Sequence, residues 1–333
     1  MYNEFFGLQK SPFDLTPDPE FLYPTRQHCE ALAGLTYALL ARKGFVALTG
    51  DAGTGKTTLL SRVIACLPGA RIQCSLIVNP TLTPAEFLES AMLGFGFNYV
   101  PASKAQRIVA LHSFLSEGCQ QGRILALVVD EAHKLSLELL EEIRLLGNLE
   151  LGNAKLLQIA LVGQNELDDL LNSDHLRPLR QRIAMRLALQ PLAAAEVERY
   201  IGHRWAKAGG SRAPFTYGAV NAISRASQGL PRLINSICDN ALMQAFGEGS
   251  HLVEEQHVAG VCTELRLSVS GAATAGTAPV KSPAAAAEPI ALMPIATDWS
   301  LKTLERYGNG ASRPSVLSRL AAKLRPTQRI GTA

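Results

Sequence analysis

Several features are scarce in this chain of 333 residues. No uninterrupted apolar run reaches the ~18 residues that a helix needs to cross a bilayer. The start, Met1-Tyr2-Asn3-Glu4, has neither the basic region nor the apolar stretch of an export signal, so a cytoplasmic protein is expected. Six cysteines (Cys29, Cys66, Cys74, Cys119, Cys238 and Cys262) are scattered without a C-x-x-C pair. That argues against a zinc site or a disulfide framework and for buried, reduced thiols. Charge of one sign is also lacking, because the net charge is only +3. It is unevenly spread: residues 299–333 hold seven Lys/Arg against Glu305 alone, so the preceding body is mildly acidic. A basic tail suits an anionic partner, and ordinary solvated charge explains it equally well. The 47% hydrophobic content is that of a globular protein with room for one large or two medium domains.

Against that background one motif stands out. Gly50-Asp51-Ala52-Gly53-Thr54-Gly55-Lys56-Thr57 fits the phosphate-loop pattern G-x-x-x-x-G-K-[ST] at every fixed position. The apolar run Phe45-Val46-Ala47-Leu48 reads as a strand before it, and Thr58 to Leu67 as a helix after it, which is the setting the motif needs. The glycines let backbone N–H groups turn towards phosphates at a helix N-terminus. Lys56 would reach the β- and γ-phosphates and Thr57 would hold Mg²⁺, so ATP and Mg²⁺ are the expected ligands of residues 50–58, Thr58 included.

Further strands are expected at Arg71–Val78, Ile124–Val129, Leu156–Val162 and Ile183–Leu189. Thr83-Pro84-Ala85-Glu86 spells a capping box, Ser103–Gln120 has a helical period, and Ser136 caps a helix through Leu146. Strands alternating with helices predict an α/β fold with a parallel sheet covered on both faces. From Ala193 onward the strands stop. Glu196–Ala208, Tyr217–Ser227, Leu233–Phe246 and Glu254–Leu265 read as four helices of a second unit. Residues 268–298 are rich in Ala, Pro, Gly, Ser and Thr and read as a flexible linker. Within the tail, Ser315–Leu324 has the spacing of a short amphipathic helix suited to a partner or an anionic membrane surface.

The chemistry would be carried by a few side chains. Asp130 and Glu131 end the strand at Val129; there an Asp serves Mg²⁺ and a neighbouring Glu polarises the attacking water. The spelling Asp130-Glu131-Ala132-His133 also occurs in a helicase superfamily, but a second helicase core is missing, and the match is treated as coincidence. Gln164, at the tip of the next strand, would touch the γ-phosphate or order the lytic water. Arg177, Arg180, Arg182 and Arg186 precede or enter the last strand. One of them would serve a neighbouring subunit's γ-phosphate, and the others would be surface arginines or partners of Asp168, Asp169 and Asp174. Arg232, opening a helix after Gly229-Leu230-Pro231, would fold over the nucleotide as part of a lid.

With these residues in place, the chain resembles the AAA+ ATPases, and among them the ExeA/GspA-type secretion ATPases and those of exosortase/PEP-CTERM gene clusters. The likeness covers residues 1–265. It rests on Phe6-Gly7-Leu8, Pro12-Phe13, Thr16-Pro17-Asp18-Pro19, Phe21-Leu22-Tyr23, His28, Glu30-Ala31-Leu32, Gly44 to Gly50, Gly163-Gln164 and Leu230 to Asn235. It implies a P-loop core over 1–192, whose Phe13–His28 segment lies against adenine. It further implies a helical lid over 193–267, whereas the linker over 268–298 and the basic tail over 299–333 are read from composition and charge. It also implies that Gln164 is sensor 1, Arg232 sensor 2, and Arg182 the arginine finger, with Arg180 second. The membrane helix and cell-wall-binding domain of ExeA-type proteins do not carry over. The expectation is a homo-oligomeric ATPase that remodels or positions parts of an envelope secretion or exopolysaccharide export system. It would be cytoplasmic, with peripheral inner-membrane contact through the tail. A DNA-binding target-selection ATPase of transposition is less favoured, since the body lacks a basic stripe; an ATP-gated switch with little turnover is the other alternative.

Overall fold

A computed structural model describes residues 2–66, 72–152 and 154–267. The expected linker, tail and tail helix lie outside the described residues.

Five parallel strands form the central sheet: β1 (Phe45–Gly50), β2 (Ile72–Ile77), β3 (Ile124–Val129), β6 (Leu157–Val162) and β7 (Ile183–Leu189), in the order β2-β3-β6-β1-β7. A small antiparallel hairpin, β4 (Glu150–Leu151) and β5 (Ala154–Lys155), precedes β6. β1, β3 and β6 are buried at every position, as expected for interior strands of a sheet covered on both faces. Their side chains alternate between two cores. Phe45, Leu125, Leu127 and Leu161 point to one face, and Val46, Leu48, Ala126 and Val128 to the other.

Helices α4 (Pro84–Gly94), α5 (Lys104–Gln120), α6 (Leu137–Leu146), α7 (Glu166–Asn172) and α8 (Arg177–Arg180) cover the first face. Helices α2 (Arg26–Leu40) and α3 (Lys56–Cys66) cover the second. The capping box at α4 is complete: Thr83 Oγ1 accepts from the Glu86 N–H, and Glu86 accepts from the Thr83 N–H. Ser136 Oγ likewise accepts from Leu139 N–H at the start of α6.

Helices α9 (Ala194–Lys207), α10 (Tyr217–Ser227), α11 (Pro231–Gly247) and α12 (Glu255–Glu264) share a third core. The start of the chain joins this core rather than the sheet's. Tyr2 on the short helix α1 (Tyr2–Phe5), Leu8, Phe13 and Phe21 are all buried among its residues. α3 begins at Lys56, inside the glycine-rich loop, so the loop feeds straight into a helix N-terminus.

The candidate nucleotide site

The loop between β1 and α3 needs its glycines for space. Gly53 has φ +82°, and a Cβ there would stand 2.8 Å from Arg232 Cβ. A Cβ on Gly50 would stand 2.4 Å from Leu189 O. The loop therefore lies pressed between β7 and the start of α11, and Arg232 N–H donates to Gly53 O at 3.2 Å.

This packing leaves a cavity of roughly 400 Å³. Residues 52–58 form one wall, Glu131, Gln164, Arg232 and Asn235 others, and the segment Asp14–Asp18 with Phe21, Leu22 and Tyr23 another. Gly50 and Asp51 contribute differently: their carbonyls accept from Lys56 Nζ at 2.7 and 2.9 Å. Burial pushes the Lys56 ammonium below the usual lysine range, while the carboxylates of Glu131, Asp130, Asp51 and Glu166 pull in the opposite direction. Thr57 Oγ1 donates to Asp130 Oδ2 at 2.9 Å, and Asp130 Oδ1 accepts from Glu131 N–H at 2.9 Å. A hydroxyl and a buried carboxylate side by side are hard oxygen donors of the kind Mg²⁺ takes, so the residues present fit that ion.

Gln164 N–H donates to His133 Nδ1 at 3.3 Å, which joins the end of β6 to the turn after β3. Asn165 Nδ2 donates to Asp51 Oδ1 and ties the same loop to the phosphate loop. The arginines are placed elsewhere. Arg180 donates to Asn172 O at 3.2 Å and Arg182 to Arg144 O at 3.4 Å, and neither lines the cavity. Arg186 pairs with Asp168 at 3.2 Å, and Asp168 also accepts from Thr49 Oγ1.

Two further residues brace the site: His28, which belongs to the resemblance without a role of its own, and Arg204, which has no signal in the sequence beyond its residue type. His28 Nε2 lies 3.2 Å from Thr54 O and Nδ1 2.5 Å from Thr25 Oγ1, so the first turn of α2 holds the phosphate loop from behind. Because a carbonyl only accepts, Nε2 carries the proton, and burial pushes this imidazole below the usual histidine range. Arg204 on α9 is 8% exposed yet donates to Pro12 O at 2.5 Å, Asp14 O at 3.3 Å and Tyr200 Oη at 3.2 Å. It thereby fastens the N-terminal wall of the cavity to the helical unit.

A five-stranded parallel sheet with the phosphate loop at its carboxyl edge and a helical unit over that loop is the AAA form of the P-loop nucleotide-binding fold. The chain has that fold. The AAA domain family model matches residues 40–171. General secretion pathway protein A of Aeromonas hydrophila is 40% identical over 278 residues, which are 83% of this chain and 50% of that protein. The chain thus spans about half the length of this relative. Among solved structures, Aeropyrum pernix ORC2 superposes with a TM-score of 0.58 at 18% identity, over 77% of this chain and 72% of that one. Drosophila ORC gives 0.58 at 21%, over 78% and 67%, and Pyrobaculum aerophilum Cdc6p gives 0.56 at 21%, over 76% and 70%. At these identities the likeness is one of fold. Among the described residues, no helix is long and apolar enough to cross a membrane.

Proposed function

We propose that this chain is an oligomerising ATPase that uses hydrolysis to remodel or position components of an envelope secretion or exopolysaccharide export system. The carrying observation is the Thr57–Asp130 contact at 2.9 Å beside Lys56, at a cavity that Glu131, Gln164 and Arg232 also line. In this reading residues 1–192 bind and hydrolyse nucleotide and residues 193–267 act as the lid. Lys56 and the loop amides hold the phosphates, and Phe13–His28 faces the base. Thr57 and Asp130 would hold Mg²⁺, which would supply neutralisation of phosphate charge. Glu131 takes the proton of the attacking water, and Gln164 orients that water against the γ-phosphate. Arg232 closes the site from the lid, and Arg182, with Arg180 second, reaches the site of a neighbouring copy.

The likeness to General secretion pathway protein A supports the secretion branch. The likeness to ORC and Cdc6p is one of fold alone and lends no weight to a DNA-directed role. Contact with an anionic membrane surface is assigned to the basic residues of 299–333. The test is genetic: a chromosomal Glu131→Gln copy, which still binds ATP, should block export of the dependent product. Export at the wild-type level in that strain would make ATP occupancy, not turnover, the working signal.

A further inference from the structure

The turn after β3 is built on a backbone conformation that side chains rarely adopt. Glu131 has φ 55° and ψ 31°, the left-handed region, and it is not a glycine. Such outliers persist where surrounding contacts fix them, commonly at functional sites. Here the contacts are visible. Glu131 N–H is held by Asp130 Oδ1, and Lys134 N–H donates back to Glu131 O at 2.9 Å. The carboxylate itself then meets His133.

His133 links two parts of the site. Its Nδ1 accepts the Gln164 backbone N–H at 3.3 Å. An amide N–H only donates, so Nδ1 must carry the lone pair, and a neutral ring then bears its proton on Nε2. That Nε2 stands 3.7 Å from Glu131 Oε2, and the ring is only 12% exposed. Gly163 allows the approach: a Cβ there would stand 3.1 Å from His133 N. Lys134 Nζ reaches the same carboxylate oxygen at 3.1 Å, but it is 52% exposed, and water screens an ion pair of that kind. The enclosed ring is the stiffer contact.

The geometry points to His133 as a positioning residue that holds the Glu131 carboxylate and the Gln164 loop in one frame. This rests on the ATPase reading above. The group that activates water and the group that reads the γ-phosphate come from different strands, β3 and β6. A shift of a fraction of an ångström between them would misplace the water. His133 spans that gap with one hydrogen bond, accepted from Gln164 N–H, and with the approach of its Nε2 edge to the Glu131 carboxylate at 3.7 Å. Glutamine offers the same pair of functions on one side chain, and alanine offers neither.

The experiment measures steady-state ATP hydrolysis by the full chain alongside the affinity for a fluorescent ATP analogue. His133→Ala should lower kcat about tenfold, the scale expected when a catalytic group loses its positioning contact. Nucleotide affinity should stay within about twofold, because His133 does not reach the phosphate loop. His133→Gln should recover most of the rate. In a Glu131→Gln background, adding His133→Ala should cost clearly less than it does in the wild type, since part of its effect runs through Glu131. Should His133→Ala not fold, His133→Asn stands in, being too short to span both partners. An unchanged kcat in His133→Ala would overturn the inference. So would a loss reproduced by Lys134→Ala, or a parallel loss of affinity that His133→Gln does not repair. A wild-type chain without hydrolysis would overturn the ATPase reading as well; an active wild type with an indifferent His133→Ala overturns this inference alone.

Discussion

Replacing Arg204 by methionine should free the N-terminal wall of the nucleotide cavity while leaving the aliphatic stem packed. The guanidinium makes three hydrogen bonds, to Pro12 O, Asp14 O and Tyr200 Oη, and lies 4.9 Å from the Phe21 ring centroid. Hydrogen bonds from a charged donor contribute roughly 1.5–3 kcal/mol each, and those at 3.2 and 3.3 Å belong at the low end. The cation–π contact adds about 0.5–2 kcal/mol. Against this stand about 2 kcal/mol of side-chain ordering and several more of desolvation. A net loss of about 2–4 kcal/mol follows from these opposing contributions. Thermal unfolding should therefore fall by roughly 5–15 °C. Protease should begin to cut within residues 12–23, and ATP affinity should drop at least about tenfold, since each 1.4 kcal/mol is a decade. A melting shift under about 2 °C with unchanged ATP affinity would refute the reasoning. It would show that Phe13 and Phe21, buried in the helical core, hold the wall by themselves.

Thr57→Ala removes the hydroxyl that meets Asp130 and should raise the Mg²⁺ concentration needed for half-maximal hydrolysis at least roughly tenfold; an unshifted Mg²⁺ titration contradicts the metal assignment. Burial, with the nearby charges of Lys207 and Arg204, pushes His203 down to about 4, and burial also lowers His28. His203 titrates near 6.5 once unfolded, so between about 4 and about 6.5 the unfolded state binds more protons. The stability His203 contributes is full above about pH 6.5 and lost as pH falls towards 4, His28 acts in the same direction, and His203→Gln should flatten that slope of melting temperature against pH. Arg182→Ala should lose about a thousandfold in hydrolysis while keeping ATP binding. Mixing it with Lys56→Ala should restore activity, because an intact Lys56 then meets an intact Arg182 across the interface. Mixtures as inactive as their parents would exclude an arginine supplied in trans.

The sheet was the legible part of the fold. Phe45–Leu48 and Ile124–Val129 read as unbroken apolar runs and Leu157–Val162 as one interrupted only by Gln158, and those runs are the strands buried on both faces. Helix α2 was hidden, because RQHCEALAGLTYALL is apolar on so many sides that its period blurs; nine of its residues are buried. The two-residue strands β4 and β5 are too short for any pattern to register. The order β2-β3-β6-β1-β7 depends on crossovers that local sequence does not encode. In the site, Lys56, Thr57 and Asp130 follow from a motif whose spacing is dictated by phosphate geometry. The bracing contacts of His28 and Arg204 do not, since each is made with residues distant in sequence. Arg204 reaches back 190 residues to Asp14, and nothing in His203-Arg204-Trp205 announces it.

The most direct test pairs two variants in one assay of ATP binding and hydrolysis. If the cavity beside Lys56 is the catalytic site, Lys56→Ala should lose ATP binding and turnover together. Glu131→Gln should then bind ATP at least as tightly as the wild type and hydrolyse it at least about a hundredfold more slowly. Wild-type turnover in Glu131→Gln, or full ATP affinity in Lys56→Ala, would contradict the assignment.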